Sequence, residues 1–180
     1  KNPNLTYQKI KIRIDQRRNM NRTLETALFA GGCFWGIEHY FKKCKGVSKT
    51  SVGYTGGHIS SPTYEDICTG TTGHAEAVKV IFSPEFIDYQ FLVNYFFRLH
   101  DPTTLNRQKN DTGTQYRSAV FYFSQEQKKI ALEEKSLFDK YGGFENPAVT
   151  EIVPASTFFE AEEHHQNYLE KNPLGYNCHS

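Results

Sequence analysis

From residue 26 onward, apolar and polar positions follow two periods. Ala27-Leu28-Phe29-Ala30 is a short continuous apolar run that predicts a buried strand, and Gly31-Gly32 breaks it. Phe34, Ile37, Phe41 and Cys44 then recur at helical spacing, so 33–43 reads as a helix with Gly46 as its stop. A β-branched stretch over 47–54 predicts a strand, a polar glycine-rich loop covers 55–73, and 77–82 is a second strand. Ser83-Pro84-Glu85 reads as a helix start, capped by Ser83 and continued by an aromatic-rich helix over 86–99 whose aromatics belong to the core. A second long loop spans 100–117 and a strand 118–123. Ser124 with Gln127 forms a capping-box pattern for a helix to residue 140, ended by Tyr141-Gly142-Gly143. A short strand over 150–153, a last helix over 158–170 and an irregular tail opened by Asn172-Pro173-Leu174-Gly175 complete the chain.

The order strand–helix–strand, strand–helix–strand is the split βαβ pattern. It predicts an α+β fold: a ferredoxin-like core, a mixed sheet with packed helices, long loops and an irregular C-terminal tail. The first 25 residues are polar and basic. Ile10-Lys11-Ile12-Arg13-Ile14 alternates with period 2, as a short strand or extended arm would, and 15–19 reads as a linker. Residues 1–25 are therefore expected to be an N-terminal arm or linker, and the remainder of the 180-residue chain one domain.

Composition narrows the function. Hydrophobic residues are 38% and aromatics 14%, so a core can form without metal or disulfide staples. A net charge of +1 lacks the electrostatic footprint of a nucleic-acid binder. No apolar run approaches the roughly 20 residues that span a bilayer, and no segment resembles a secretory signal. Neither a nucleic-acid nor a membrane partner is expected. The four cysteines, at 33, 44, 68 and 178, form no C-x-x-C pair, which disfavours a disulfide framework or a zinc knuckle. A reducing, cytoplasmic location is the expectation.

The chemistry concentrates at Gly31-Gly32-Cys33-Phe34-Trp35-Gly36, where a cysteine sits between a strand end and a helix start. Unpaired backbone N–H groups at that position favour a thiolate. Phe34 and Trp35 offer an apolar wall suited to a methyl or thioether group. Tyr64, Glu76, Asp111 and Tyr116, in or beside the two long loops, can supply protons. Glu76 enters a buried strand, which disfavours its charge and raises its pKa, as a general acid near neutrality requires. Cys178 admits two readings: an idle tail residue, or a thiol that swings onto another sulfur once their Cα atoms come within about 7 Å. His74-x-Glu76 lacks the P-C-x-x-C partner of a zinc deaminase, so no metal is expected. His164 and His165 would point about 100° apart on a helix, which suits surface or hydrogen-bonding roles better than a shared metal. Cys44 falls on the apolar stripe and reads as core, and Cys68 as a structural loop residue.

Gly32-Cys33-Phe34-Trp35-Gly36 resembles the signature of the A-type peptide methionine sulfoxide reductases. Further strings resemble that family in order: Gly53-Tyr54-Thr55-Gly56-Gly57, Pro62-Thr63-Tyr64, Thr72-Gly73-His74-Ala75-Glu76-Ala77-Val78, His100-Asp101-Pro102-Thr103, Asp111-x-Gly113-Thr114-Gln115-Tyr116-Arg117-Ser118 and Ala161-Glu162-x-x-His165-Gln166-x-Tyr168-Leu169. The resemblance covers about residue 26 to the end and implies a single catalytic domain over 26–180. It further implies that the Cys33 thiolate attacks the sulfur of methionine sulfoxide, free or in proteins, in its S epimer. Glu76 gives a proton to the sulfoxide oxygen, Tyr64 and Tyr116 hydrogen-bond it, Asp111 sits in the same cluster, and Phe34 and Trp35 hold the methyl group. Cys33 becomes a sulfenic acid, Cys178 converts it to a Cys33–Cys178 disulfide, and thioredoxin reduces that bond. The cycle uses two cysteines and no metal or organic cofactor, serves repair of oxidative damage, and is expected of a monomer. The alternatives are a thiol peroxidase built on the same cysteine and a split-βαβ RNA-binding module. The RNA reading lacks an RNP-like string and a basic face.

Overall fold

The computed structural model describes residues 23–179; the period-2 segment at 10–14 and the linker at 15–19 lie outside them. Eight strands and five α-helices follow in chain order: β1 (Glu25–Gly31), α1 (Phe34–Lys42), β2 (Val47–Thr55), α2 (Tyr64–Cys68), β3 (Ala75–Phe82), α3 (Tyr89–Leu99), β4 (Arg107–Gln108), β5 (Asp111–Thr112), β6 (Ser118–Tyr122), α4 (Gln125–Tyr141), β7 (Glu151–Pro154), β8 (Phe159–Glu160) and α5 (Tyr168–Lys171). Six of the strands form one mixed sheet in the order β7-β6-β1-β3-β2-β8, in which only β6–β7 is parallel. Its inner four, β6-β1-β3-β2, are arranged as the split βαβ pattern requires, with β3 inserted antiparallel between β1 and β2.

The central strands are apolar on both faces because both faces are covered. Ala27 and Phe29 of β1 face the helices, with Val78 and Val80 of β3 and Val120 of β6. Leu28 and Ala30 face the opposite side, with Ala77, Ala119 and Phe121, under Val153, Ala155 and Phe158. Helix α3 presents Leu92, Val93, Phe96 and Phe97 to the first face. Phe29 lies fully buried between the rings of Phe41 and Phe96, each 5.0 Å away. Phe29→Ala is expected to lower the unfolding free energy by about 3–5 kcal/mol, read from urea unfolding, because rings on both sides cannot close the cavity.

Several expected elements take another form. The helix expected from residue 86 starts at Tyr89, capped by Asp88, whose Oδ1 accepts from Phe91 N–H at 2.7 Å. Ser83 accepts at its carbonyl instead, from Phe86 and Ile87 N–H in a tight turn. Phe86 and Phe91 are half exposed rather than core, and Cys44 is only partly buried. The loop over 55–73 contains α2, held by a reciprocal Thr63–Asp66 capping box, and Cys68 closes that helix exposed to solvent. The loop over 100–117 contains the β4–β5 hairpin and a 3₁₀ turn, Thr114–Tyr116.

The helix expected over 158–170 is replaced by β8, a run of turns and the short α5. Ala161 N–H donates to Val52 carbonyl at 3.0 Å, and the Gln166 amide then accepts from Val52 N–H and donates to its carbonyl, at 2.9 and 2.8 Å. This side chain occupies the edge of β2 as a strand would. Buried Glu38 of α1 fixes the same segment by accepting from Asn167 N–H at 2.8 Å. His164 and His165 consequently lie in turns with ring centroids 4.1 Å apart, not on divergent helix faces.

Candidate active site

Cys33 occupies the junction of β1 and α1, as the N-terminal cap residue of the helix. The turn needs a left-handed residue just before it, supplied by Gly32 at φ 95°. Strand alternation then delivers the acid. Ala75 and Ala77 of β3 face away from the helices, so Glu76 faces α1, where its Oε2 accepts from Phe34 N–H at 3.1 Å. Tyr54 is its cross-strand partner on β2. Glu76 is 2% exposed. Burial pushes its carboxyl up to about 8, against the Phe34 N–H and with help from the charges of Asp111 and Cys178.

Cys33, Phe34, Trp35, Tyr64, Glu76, Asp111, Tyr116 and Tyr176 line one cavity of about 150 Å³. All the candidate residues other than Cys178 thus share its wall. A cavity of about 510 Å³ between α3 and α4, with Arg98 and Glu134 in its lining, holds none of them. Tyr64 comes from the start of α2, Asp111 from the β4–β5 hairpin and Tyr116 from the 3₁₀ turn. Burial, then the charge of Glu76, raises both tyrosine hydroxyls, so each stays a protonated donor. Burial also raises the Asp111 carboxyl, which is hydrogen-bonded by Tyr176 and Cys178. Among the described residues no group of His, Cys, Asp and Glu side chains is arranged to hold a metal ion.

Cys178 is 3% exposed and hydrogen-bonded to Cys33. Both thiols are free. The hydrogen bond with Cys178, then burial, then the nearby Glu76 charge raise the Cys33 thiol, against the Trp35 N–H. The Cys33 hydrogen bond and the neighbouring His179 lower the Cys178 thiol despite its burial. The helix N-terminus favours a Cys33 thiolate, and in this arrangement that effect is opposed. The backbone donor is present, but apolar surroundings, a second thiol and a carboxylate outweigh it.

Sequence reasoning left several supporting residues without a role. Trp35 Nε1 donates to His165 Nδ1 at 3.2 Å, and the indole stacks on Tyr168 at 3.8 Å between centroids. His165 is itself buried, and burial lowers its pKa, keeping the ring a neutral acceptor. Glu162 accepts from Tyr64 N–H at 2.8 Å and from the Tyr54 hydroxyl at 2.9 Å. Burial opposes its charge, but these donors and its own backbone N–H hold it below the usual carboxylate range. The Ala161-Glu162-x-x-His165-Gln166 string carried the signal, but its residues act by fixing Trp35, Tyr64 and the edge of β2.

Residues 25–180 match the family model described as peptide methionine sulfoxide reductase. This chain belongs to the peptide methionine sulfoxide reductase family. Its reaction is the reduction of methionine sulfoxide. The peptide methionine sulfoxide reductase MsrA of Methanosarcina mazei is 57% identical to this reductase over 153 residues, 85% of this chain and 72% of the relative. Among solved structures, Mxr1 from Saccharomyces cerevisiae in its reduced form superposes with a TM-score of 0.81 at 39% identity, covering 88% of this chain and 91% of the yeast chain. The same yeast protein in complex with Trx2 superposes with a TM-score of 0.57 at 28% identity, over 82% of this chain and 86% of that one. The α+β fold of the reductase, a six-stranded mixed sheet with packed helices, is the fold of these relatives. No described helix is long and apolar enough to cross a membrane.

Proposed function

We propose that residues 26–180 form the catalytic unit and reduce the S epimer of methionine sulfoxide, free or in proteins, by a two-cysteine cycle. One observation carries this reading: Cys33 lines one cavity together with two aromatic side chains, a protonatable carboxyl and two phenols. Loss of its proton makes Cys33 the attacking thiolate. Its sulfur bonds to the sulfoxide sulfur while Glu76 protonates the oxygen and Tyr64 and Tyr116 donate hydrogen bonds to it. Phe34 and Trp35 hold the methyl group, and Asp111 positions Tyr176 and Cys178 through the hydrogen bonds described above. Methionine departs and the oxygen stays on Cys33 as a sulfenic acid, so one sulfoxide, one thiolate and one proton are consumed. A methyl-binding group and oxygen-binding donors at separate points around a chiral sulfur select one epimer. Cys178 then displaces the oxygen as water, forming a Cys33–Cys178 disulfide. Thioredoxin is the proposed reductant of that bond, supported by the yeast relative's complex with Trx2.

The test is a single turnover with separated sulfoxide epimers and no reductant. The wild-type protein is expected to release about one methionine per chain from the S epimer and to acquire a Cys33–Cys178 bond detectable by peptide mass spectrometry. Cys178→Ser is expected to give about one methionine and then stop, with thioredoxin-driven turnover lost. Steady turnover equal to wild type in that variant would remove Cys178 from the cycle. A faster reaction with hydrogen peroxide than with either sulfoxide would favour the thiol peroxidase reading.

A further inference from the structure

Three of the strings singled out in the sequence meet at one side chain that has no role in the cycle above. Arg117 follows the 3₁₀ turn that carries Tyr116. Its Nη1 donates to the Thr114 carbonyl at 2.9 Å, within that turn. Its Nη2 donates to the Gly73 carbonyl at 3.0 Å, in the segment that leads into Glu76. Its Nε reaches Glu151 of the edge strand β7 at 3.3 Å, which anchors the guanidinium on the sheet. The Arg117 side chain is only 11% exposed, so these bonds are sheltered from water. Glycines of the 53–57 string make the room. A Cβ at Gly56 would lie 2.9 Å from Arg117 Nη2, and the φ of 83° there suits glycine. A Cβ at Gly57 would strike the backbone of Thr72 and His74. The end of β2, the approach to β3 and the turn before β6 are thus drawn together around one cation.

Tyr116 depends on such ties. Its turn is three residues long, with Thr114 exposed and Tyr116 half-buried, so little apolar packing fixes it. The Thr114 hydroxyl adds only a long contact to the Gly70 carbonyl, at 3.5 Å. Hydrogen bonds from a cation are stronger than neutral ones, and a planar guanidinium fixes two acceptors at once. We propose that Arg117 is a positioning residue for the reductive step: by bonding the Thr114 and Gly73 carbonyls with one rigid fork, it holds the Tyr116 hydroxyl in place beside Glu76, so that both meet the same sulfoxide oxygen. Arg117 is absent from the cavity lining and acts through Tyr116. Burial, then the charge of Glu76, raises the Tyr116 hydroxyl, which agrees with the two groups standing close. This inference rests on the reading of Tyr116 as a donor to that oxygen.

The test follows the reductive step alone, as methionine released in a single turnover at saturating methionine sulfoxide without reductant. Tyr64→Phe serves as the background, leaving Tyr116 as the one proposed phenol donor to the oxygen. In that background Tyr116→Phe is expected to slow the step about 10²-fold, the effect of removing one donor from a developing charge. Arg117→Met in the same background is expected to slow it about 10-fold or more, since a misplacement of order 1 Å costs up to about 10²-fold. With Tyr116→Phe already present, Arg117→Met is expected to add less than about 2-fold, because the two residues act through one hydroxyl. Arg117→Lys keeps a charge beside Glu151 but has no fork, and is expected to follow Arg117→Met. If Arg117→Met fails to fold, Arg117→Lys decides by the same comparisons. An Arg117 variant as fast as its Tyr64→Phe background would overturn the inference. An equal deficit with and without the Tyr116 hydroxyl would also overturn it, since that is the signature of a residue that merely holds the fold. A full rate in Arg117→Lys would overturn the fork, since charge alone would then suffice. No loss from Tyr116→Phe in the Tyr64→Phe background would overturn the reading of Tyr116 itself, and the inference with it.

Discussion

Cys33→Ser is expected to release no methionine above the uncatalysed level, even with thioredoxin in excess. A hydroxyl is far harder to ionise than a thiol, and it cannot take the sulfoxide oxygen as a sulfenic acid. The substitution is nearly isosteric, and the Trp35 N–H that contacts the sulfur remains available to an oxygen, so the fold should persist. The checks are methionine release measured by chromatography and a thermal melt on the same sample. Methionine formation at wild-type rate would move the reacting sulfur elsewhere, and Cys178 would be the first place to look.

Glu76→Gln is expected to slow the reductive step by about 10²–10⁴-fold, the usual worth of a positioned general acid, and to remove part of its pH dependence. The wild-type rate should be high below pH 8 and fall as pH rises through about 8, where the buried carboxyl loses its proton. An amide donates a hydrogen bond but no proton, so the variant should lack that alkaline decline. This carboxyl makes stability fall with pH as well. The folded carboxyl titrates near 8 and the unfolded one near the model value of 4.5. Between these the folded state binds more protons, so this group's contribution is full below about 4.5 and is lost progressively up to 8. Glutamine carries no such loss, so its melting temperature relative to wild type should be higher at pH 9 than at pH 5. Rates from single-turnover mixing and melts at the two pH values check both halves. Full activity at every pH would withdraw the acid assignment.

The parts of the fold written in periodicity were legible. β1, α1, β2, β3, β6 and α4 lie where alternation and helical spacing place them, within a residue or two, and their order implied the split βαβ sheet. Short elements were not legible, because α2 and the β4–β5 hairpin span too few residues to show a period. Residues 158–170 misled because Phe158, Ala161, His165 and Leu169 repeat every three or four positions. There the unpaired edge of β2 wins, drawing in Ala161 and the Gln166 amide. Most of the candidate site residues share one cavity because the motifs that named them converge on the N-terminus of α1. The protonation of Cys33 needed coordinates. A helix terminus can be read from a string of letters, whereas a thiol and a carboxyl packed against the same sulfur cannot.

One turn of α1 serves two clients from two sides. Toward the cavity it exposes Phe34 and Trp35; toward the chain's far end it exposes the bare backbone of Gly36, against which Asn177 and His179 rest. A methyl group added at position 36 would collide with His179 and Asn177 beside Cys178, not with the residues that line the cavity. On the proposed cycle, reduction of the substrate and closure of the disulfide can therefore drift independently, each through its own side of a single helical turn.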